Sequence, residues 1–157
     1  MFVACSGYLL TLKLFDIHIR STEPTPAGWM VALICYPPFW NMAERSFLHY
    51  EDNYYWGEWL EPWPVVKFLW ALAILACVTI YVWATVSFGV RFSNLTNRGI
   101  LTNGPYGLMM HPAYVSKNLS WWLISVPFVV TGSLATALTN CLLLAGVNLI
   151  YFARAKT

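Results

Sequence analysis

The residues able to do chemistry are concentrated in Asn97–Trp122, which reads NRGILTNGPYGLMMHPAYVSKNLSWW. Gly99, Gly104 and Gly107 allow tight turns or a close approach of the backbone to a ligand. Pro105 and Pro112 stiffen the path between them. Tyr106, His111 and Tyr114 each carry a polar tip on an apolar body. His111 is the natural proton acceptor of the group. Arg154 is one of two basic residues at the end of the chain. Each residue also has a plain structural reading. His111 fits a helix cap or an interfacial position, the tyrosines fit an aromatic belt, and Arg154 fits a positive anchor. Asn118 and Asn148 read as groups bonding across helices rather than as ligand contacts. Cys5, Cys35, Cys77 and Cys141 sit singly in apolar stretches, at no metal-ligand spacing, so neither a metal site nor a disulfide framework is expected.

A strongly apolar chain must position these residues. Of its 157 residues, 59% are hydrophobic, 17% aromatic and 10% charged. Soluble domains usually carry ~25% charged residues. Disorder is excluded, because it needs low hydrophobicity and high charge. A soluble domain is disfavoured, and nothing points to a nucleic-acid partner. The expected fold is all-α: one membrane domain over 1–157, a polytopic transmembrane helical bundle of about five membrane segments with a C-terminal helical hairpin.

The first segment is Met1–Phe15. The second, Gly28–Ala43, contains Pro37-Pro38 and should be broken, kinked or re-entrant. The third, Phe68–Val90, has no charge and carries Trp70 and Trp83 near its ends. The uncharged block Asn118–Ala153 would make a single helix about 54 Å long at ~1.5 Å per residue. It is expected to fold as two spans that turn near Thr131-Gly132-Ser133, with Pro127 kinking the first. The charges are lopsided: all seven carboxylates lie at or before Glu61. The loop 91–117 and the C-terminal end carry only basic residues, which predicts a cytoplasmic side for both. Tyr50–Pro64 is acidic and aromatic. It reads as an interfacial segment on the outer leaflet, with a substrate-gripping lid as the rival.

Gly104-Pro105-Tyr106, then His111-Pro112-x-Tyr114, then a helical hairpin and Arg154-Ala155 together resemble the isoprenylcysteine carboxyl methyltransferase and phospholipid methyltransferase superfamily. The resemblance covers roughly residues 65–157, and residues 1–64 add only membrane character to it. It implies an integral membrane enzyme using S-adenosylmethionine (SAM) on a lipophilic acceptor, an isoprenylcysteine-type carboxylate among them. It implies that His111 and Tyr114 act at the catalytic centre. It also implies cofactor contacts from Gly104, Pro105, Tyr106, His111, Pro112, Tyr114 and Arg154. Methyl transfer from a sulfonium is an in-line displacement, so the enzyme mainly aligns the reactants and excludes water. A carboxylate acceptor needs no base, whereas an amine or thiol would need one, and His111 is the obvious choice. Two departures stand out. Met110 replaces the basic residue that usually precedes the His-Pro pair. The family also continues past Arg-Ala into a Glu-Glu pair and a tail, so the resemblance implies a truncated chain or an incomplete site.

Two other classes compete with this expectation. A membrane sterol or steroid reductase using NADPH has a comparable helical core, although no Gly-rich phosphate loop supports a nicotinamide here. A non-catalytic membrane homologue is the other. A transporter is disfavoured because the clear spans carry no ionisable residue.

Overall fold

The computed structural model describes residues 19–47, 55–89, 96–97 and 101–156. The first apolar segment, Met1–Phe15, lies outside the described residues, as do residues 91–95 and 98–100 of the basic loop, Gly99 among them. The described chain is mostly helical. Its elements in order are β1 (Ser21–Thr22), α1 (Pro26–Ile34), α2 (Phe39–Phe47), α3 (Trp56–Trp59), α4 (Pro64–Phe88), β2 (Thr96–Asn97), a 3-10 turn (Gly104–Gly107), α5 (Pro112–Ser125) and α6 (Leu134–Lys156). β1 and β2 form a short antiparallel ladder, with Ser21 opposite Asn97 and Thr22 opposite Thr96.

Proline sets several of the boundaries. α1, α4 and α5 each begin with Pro at the first turn, where its missing N–H is not needed and its fixed φ suits a helix. Thr25 caps α1, its Oγ1 accepting from Gly28 N at 3.1 Å. Pro37 and Pro38 separate α1 from α2, so the second apolar segment is two short helices. Pro127 was expected to kink a helix, but it ends one instead. α5 stops at Ser125, and Val126 takes the left-handed conformation at φ 36°. Its N–H closes the helix onto Trp122 O at 3.2 Å. A residue preceding proline is pushed out of the α region, so the chain leaves the helix before Pro127 and before the expected turn at Thr131. α5 has 14 residues, about 21 Å at ~1.5 Å per residue.

Among the described residues, two helices are long and apolar enough to cross a membrane: α4, with 25 residues, and Leu134–Ala155 of α6, with 22. Only 6% of the α4 window is buried. Val66, Leu69, Leu75, Val78, Ile80 and Val86 point outward on different sides, so the helix is apolar all round. α6 is two-faced. Ala137, Asn140, Leu144, Val147, Tyr151 and Arg154 are buried, at alternating spacings of three and four that make one inward stripe. Leu134, Leu138, Leu142, Leu149 and Phe152 are exposed on the other side.

α4 and α5 make the most extensive helix pairing. Apart from Pro112 at the start of α5, their buried residues are small: Cys77 and Ala84 on α4, Ser116 and Ser120 on α5. Small side chains let two backbones come close. Trp70 Nε1 donates to Leu123 O at 2.9 Å. Trp59 of α3 meets Trp70 and Phe128 edge-on, at 5.5 and 5.9 Å between ring centroids. α4 and α5 are therefore antiparallel, and this tryptophan cluster marks one end of the pair. Ala84→Leu should lower stability by about 1–3 kcal/mol through overpacking. Val86→Leu on the exposed face should stay within about 0.5 kcal/mol. Thermal unfolding in detergent checks both.

Candidate functional site

The 3-10 turn begins at Gly104, where φ is 61°, a conformation that disfavours any residue with a Cβ. At Gly107 a Cβ would lie 2.9 Å from Thr102 O, so the backbone folds against itself there and leaves no room for a side chain. Pro105 is buried beneath the turn. This compact turn presents Tyr106, whose ring meets Phe88 at the end of α4 edge-on, at 5.5 Å.

A cavity of about 260 Å³ opens where this turn meets the C-terminal ends of α4 and α6, the first half of α5 and the end of α1. Cys35, Tyr36, Tyr81, Thr85, Phe88, Tyr106, Ala113, Tyr114, Lys117, Tyr151 and Arg154 line it. Among the described residues, the lining thus carries two cations and no carboxylate. Its hub is Tyr151. That ring meets Trp40 at 5.9 Å, Tyr114 at 6.1 Å and Trp121 at 5.2 Å between centroids. Lys117 Nζ lies 3.3 Å from the Tyr151 hydroxyl. It also sits 4.4 Å from the Tyr151 ring centroid and 4.9 Å from that of Trp121, within cation–π range. α5 leads away from the loop and α6 returns to it. Tyr114 and Arg154 therefore form the layer nearest the loop, Lys117 and Tyr151 the next, and Trp121 lies beyond.

Of the residues singled out from sequence, Tyr106, Tyr114 and Arg154 come together on this cavity. His111 does not. It is exposed at the start of α5, off the wall, with its ring 6.2 Å from that of Tyr114. Gly104, Pro105 and Pro112 shape the entry without lining it. Sequence reasoning missed Lys117, Tyr151 and the α4 face Tyr81, Thr85 and Phe88. A helical signal existed for these. Lys117 follows Tyr114 by three residues, Tyr151 precedes Arg154 by three, and the α4 residues follow a four-then-three spacing. No sequence signal marked Cys35 and Tyr36. The Asn118 and Asn148 side-chain oxygens, expected to bond across helices, are buried without hydrogen-bond partners. The aromatic stretch around Trp59 packs at the opposite end of α4, so its described residues form no lid over the cavity.

The electrostatics are those of a half-dry cationic site. Arg154 is only 9% exposed. Glu23, just before α1, is held below the ordinary carboxylate range, chiefly by the Thr25 hydroxyl and backbone N–H and in smaller part by the Arg154 charge. Burial, with the neighbouring Tyr114, pushes the Tyr106 phenol up to about 12, so it remains a hydrogen-bond donor at physiological pH. Comparison with models of protein families, with curated proteins and with solved structures finds no match to this chain.

The Tyr106 shift has a stability consequence. A raised folded-state pKa favours the folded chain while the phenol is protonated. That contribution is full below the ordinary value of 10.0 and is lost as pH rises toward about 12. Tyr106→Phe should therefore flatten the fall in unfolding temperature across that window, as read by alkaline melts of the two proteins.

Proposed function

We propose that this chain is a membrane-embedded, SAM-dependent methyltransferase acting on a lipophilic acceptor, in keeping with the resemblance of its GPY and HPxY elements. The observation that carries the reading is the convergence of Tyr106, Tyr114 and Arg154 on one cavity. Arg154 lies forty residues beyond Tyr114, and all three are among the residues that the resemblance implies for the cofactor site.

The lining matches two groups at the aminoacyl-sulfonium end of the cofactor, the sulfonium and the carboxylate, whereas the ammonium of that end meets no carboxylate among the described lining residues. Aromatic faces attract a sulfonium cation, and a guanidinium pairs in a fork with a carboxylate. Bound there, SAM supplies an electrophilic methyl group. Arg154 holds a carboxylate at the layer nearest the loop, and the Tyr81, Tyr106 and Tyr114 rings keep water from the reacting centre. The Tyr106 hydroxyl orients the bound group as a donor. His111 stands off the wall, which favours an acceptor that arrives already ionised and needs no base.

In this reading α4, α5 and α6 all cross the bilayer. α5 completes its passage through residues 126–133, of which Val126 and Pro127 are buried. The basic loop and Arg154 face the cytoplasm, where a soluble cofactor enters. The β1–β2 ladder brings the start of α1 to that same end. A Cys introduced at Met110, which is 80% exposed, should react with a membrane-impermeant maleimide from the cytoplasmic face only.

Equilibrium binding to the purified protein in nanodiscs tests the activity class. Labelled SAM should bind and labelled NADPH should not. Arg154→Ala should weaken SAM binding about 10- to 100-fold through loss of a charge-assisted pair. His111→Ala should weaken it less. Binding of NADPH alone would replace this reading with the reductase one.

A further inference from the structure

We propose that Lys117 is the residue by which the cavity selects an anionic head group, a carboxylate or a phosphate monoester, on an amphiphilic ligand. The inference rests on reading the cavity as the seat of a lipophilic acceptor. It assigns to Lys117 a task that the sequence motifs do not.

Lys117 had looked like one more basic residue of a cytoplasmic loop. A lysine with only that role turns its ammonium toward water and lays its stem along apolar surface. This one does the reverse. Its ammonium lies in the second layer of the cavity, over the rings of Tyr151 and Trp121. Trp121 is the next turn of α5 away from the loop. One contact of the ammonium is to the Tyr151 hydroxyl, at 3.3 Å. No carboxylate pairs with it among the described residues. A half-buried ammonium is costly unless it is compensated, and two ring faces plus one hydroxyl compensate it only in part. An incoming anion would complete its shell, and the cavity offers the space beside it.

The layering separates this role from that of Arg154. Arg154 sits with Tyr114 nearest the loop, where a water-soluble cofactor arrives. Lys117 and Tyr151 lie deeper, one turn further along α5 and one turn back along α6. An amphiphile approaching from the hydrocarbon side meets this second layer. The aromatic rings around the ammonium suit the apolar stem just behind a head group, and Tyr151 fixes the ammonium so that its charge is pre-aimed.

The test is saturation binding of radiolabelled palmitate to the full chain in phosphatidylcholine nanodiscs, with hexadecyl phosphate and hexadecanol as competitors. Palmitate should be displaced by the anionic phosphate and not by the alcohol. If hexadecyl phosphate competes far better than palmitate itself, the head group is a phosphate; the reverse order makes it a carboxylate. Lys117→Met and Lys117→Gln should each weaken palmitate binding about 10-fold or more, while Lys117→Arg retains the preference for the anion. Melting curves of the variants control for folding. Equal competition by hexadecanol overturns the proposal without recourse to any variant. So does a folded Lys117→Gln protein that binds palmitate as the wild type does. SAM binding, measured on the same preparations, separates the two claims. SAM bound with no anion preference sinks only the role of Lys117. Anion preference lost in Lys117→Gln, in a protein that never binds SAM, sinks only the methyltransferase reading.

Discussion

The site turns on one contact, that of the Lys117 ammonium with Tyr151. A positive charge at this depth needs electron-rich surroundings, and Tyr151 supplies both a ring face and a hydroxyl oxygen. Because Lys117 belongs to α5 and Tyr151 to α6, the contact also fixes the register of those helices. Tyr151 in turn carries Trp40, Tyr114 and Trp121 around its ring, so α2, α5 and α6 meet at a single side chain. The cavity wall is the unfilled side of that cluster.

The second constraint is the backbone. An apolar environment offers no water to satisfy free N–H and C=O groups, so helix ends must fall where protein or an aqueous surface can serve them. Here prolines place those ends. Pro26, Pro64 and Pro112 open helices where a donor is not missed, and Pro37-Pro38 and Pro127 close or separate them. The hydroxyls of Ser116, Ser120 and Ser125 donate back to carbonyls of their own helix, which hides polar groups that would otherwise sit unpaired. Being small, Ser116 and Ser120 also allow α4 and α5 to pack closely, and this brings Tyr81, Thr85 and Phe88 to the same cavity as Ala113 and Tyr114.

Much of this was legible in the chain. The third segment is helical as far as Phe88, within Pro64–Phe88, because an uncharged run of that length has no better way to satisfy its backbone. The prolines at 37 and 38 broke the second segment as their missing donors required. Pro127 was read as a kink and proved a terminus. A kink needs the preceding residue to remain helical, and Val126 instead takes the left-handed conformation, which the sequence did not signal. Tyr106, Tyr114 and Arg154 were recognisable from their neighbours. His111 was chosen with them, but its side chain at the first turn of α5 faces outward, and only the direction in which the helix leaves the loop determines that.

The sequence by itself determined an apolar helical chain, the proline-set breaks within it, and a Gly- and Pro-rich loop leading into a helix with Tyr114 and Lys117 on it. It also determined that no carboxylate follows Glu61. Only the tertiary structure decided what meets these residues. It laid Cys35 and Tyr36, from the half that seemed to offer membrane character alone, into the cavity wall. It brought Glu23 within reach of the Arg154 field, so the acid-free half is not electrostatically alone. The reason is physical: helical periodicity is local and can be read along a chain, whereas a charge is compensated by whatever folds against it, and that depends on how separate helices pack.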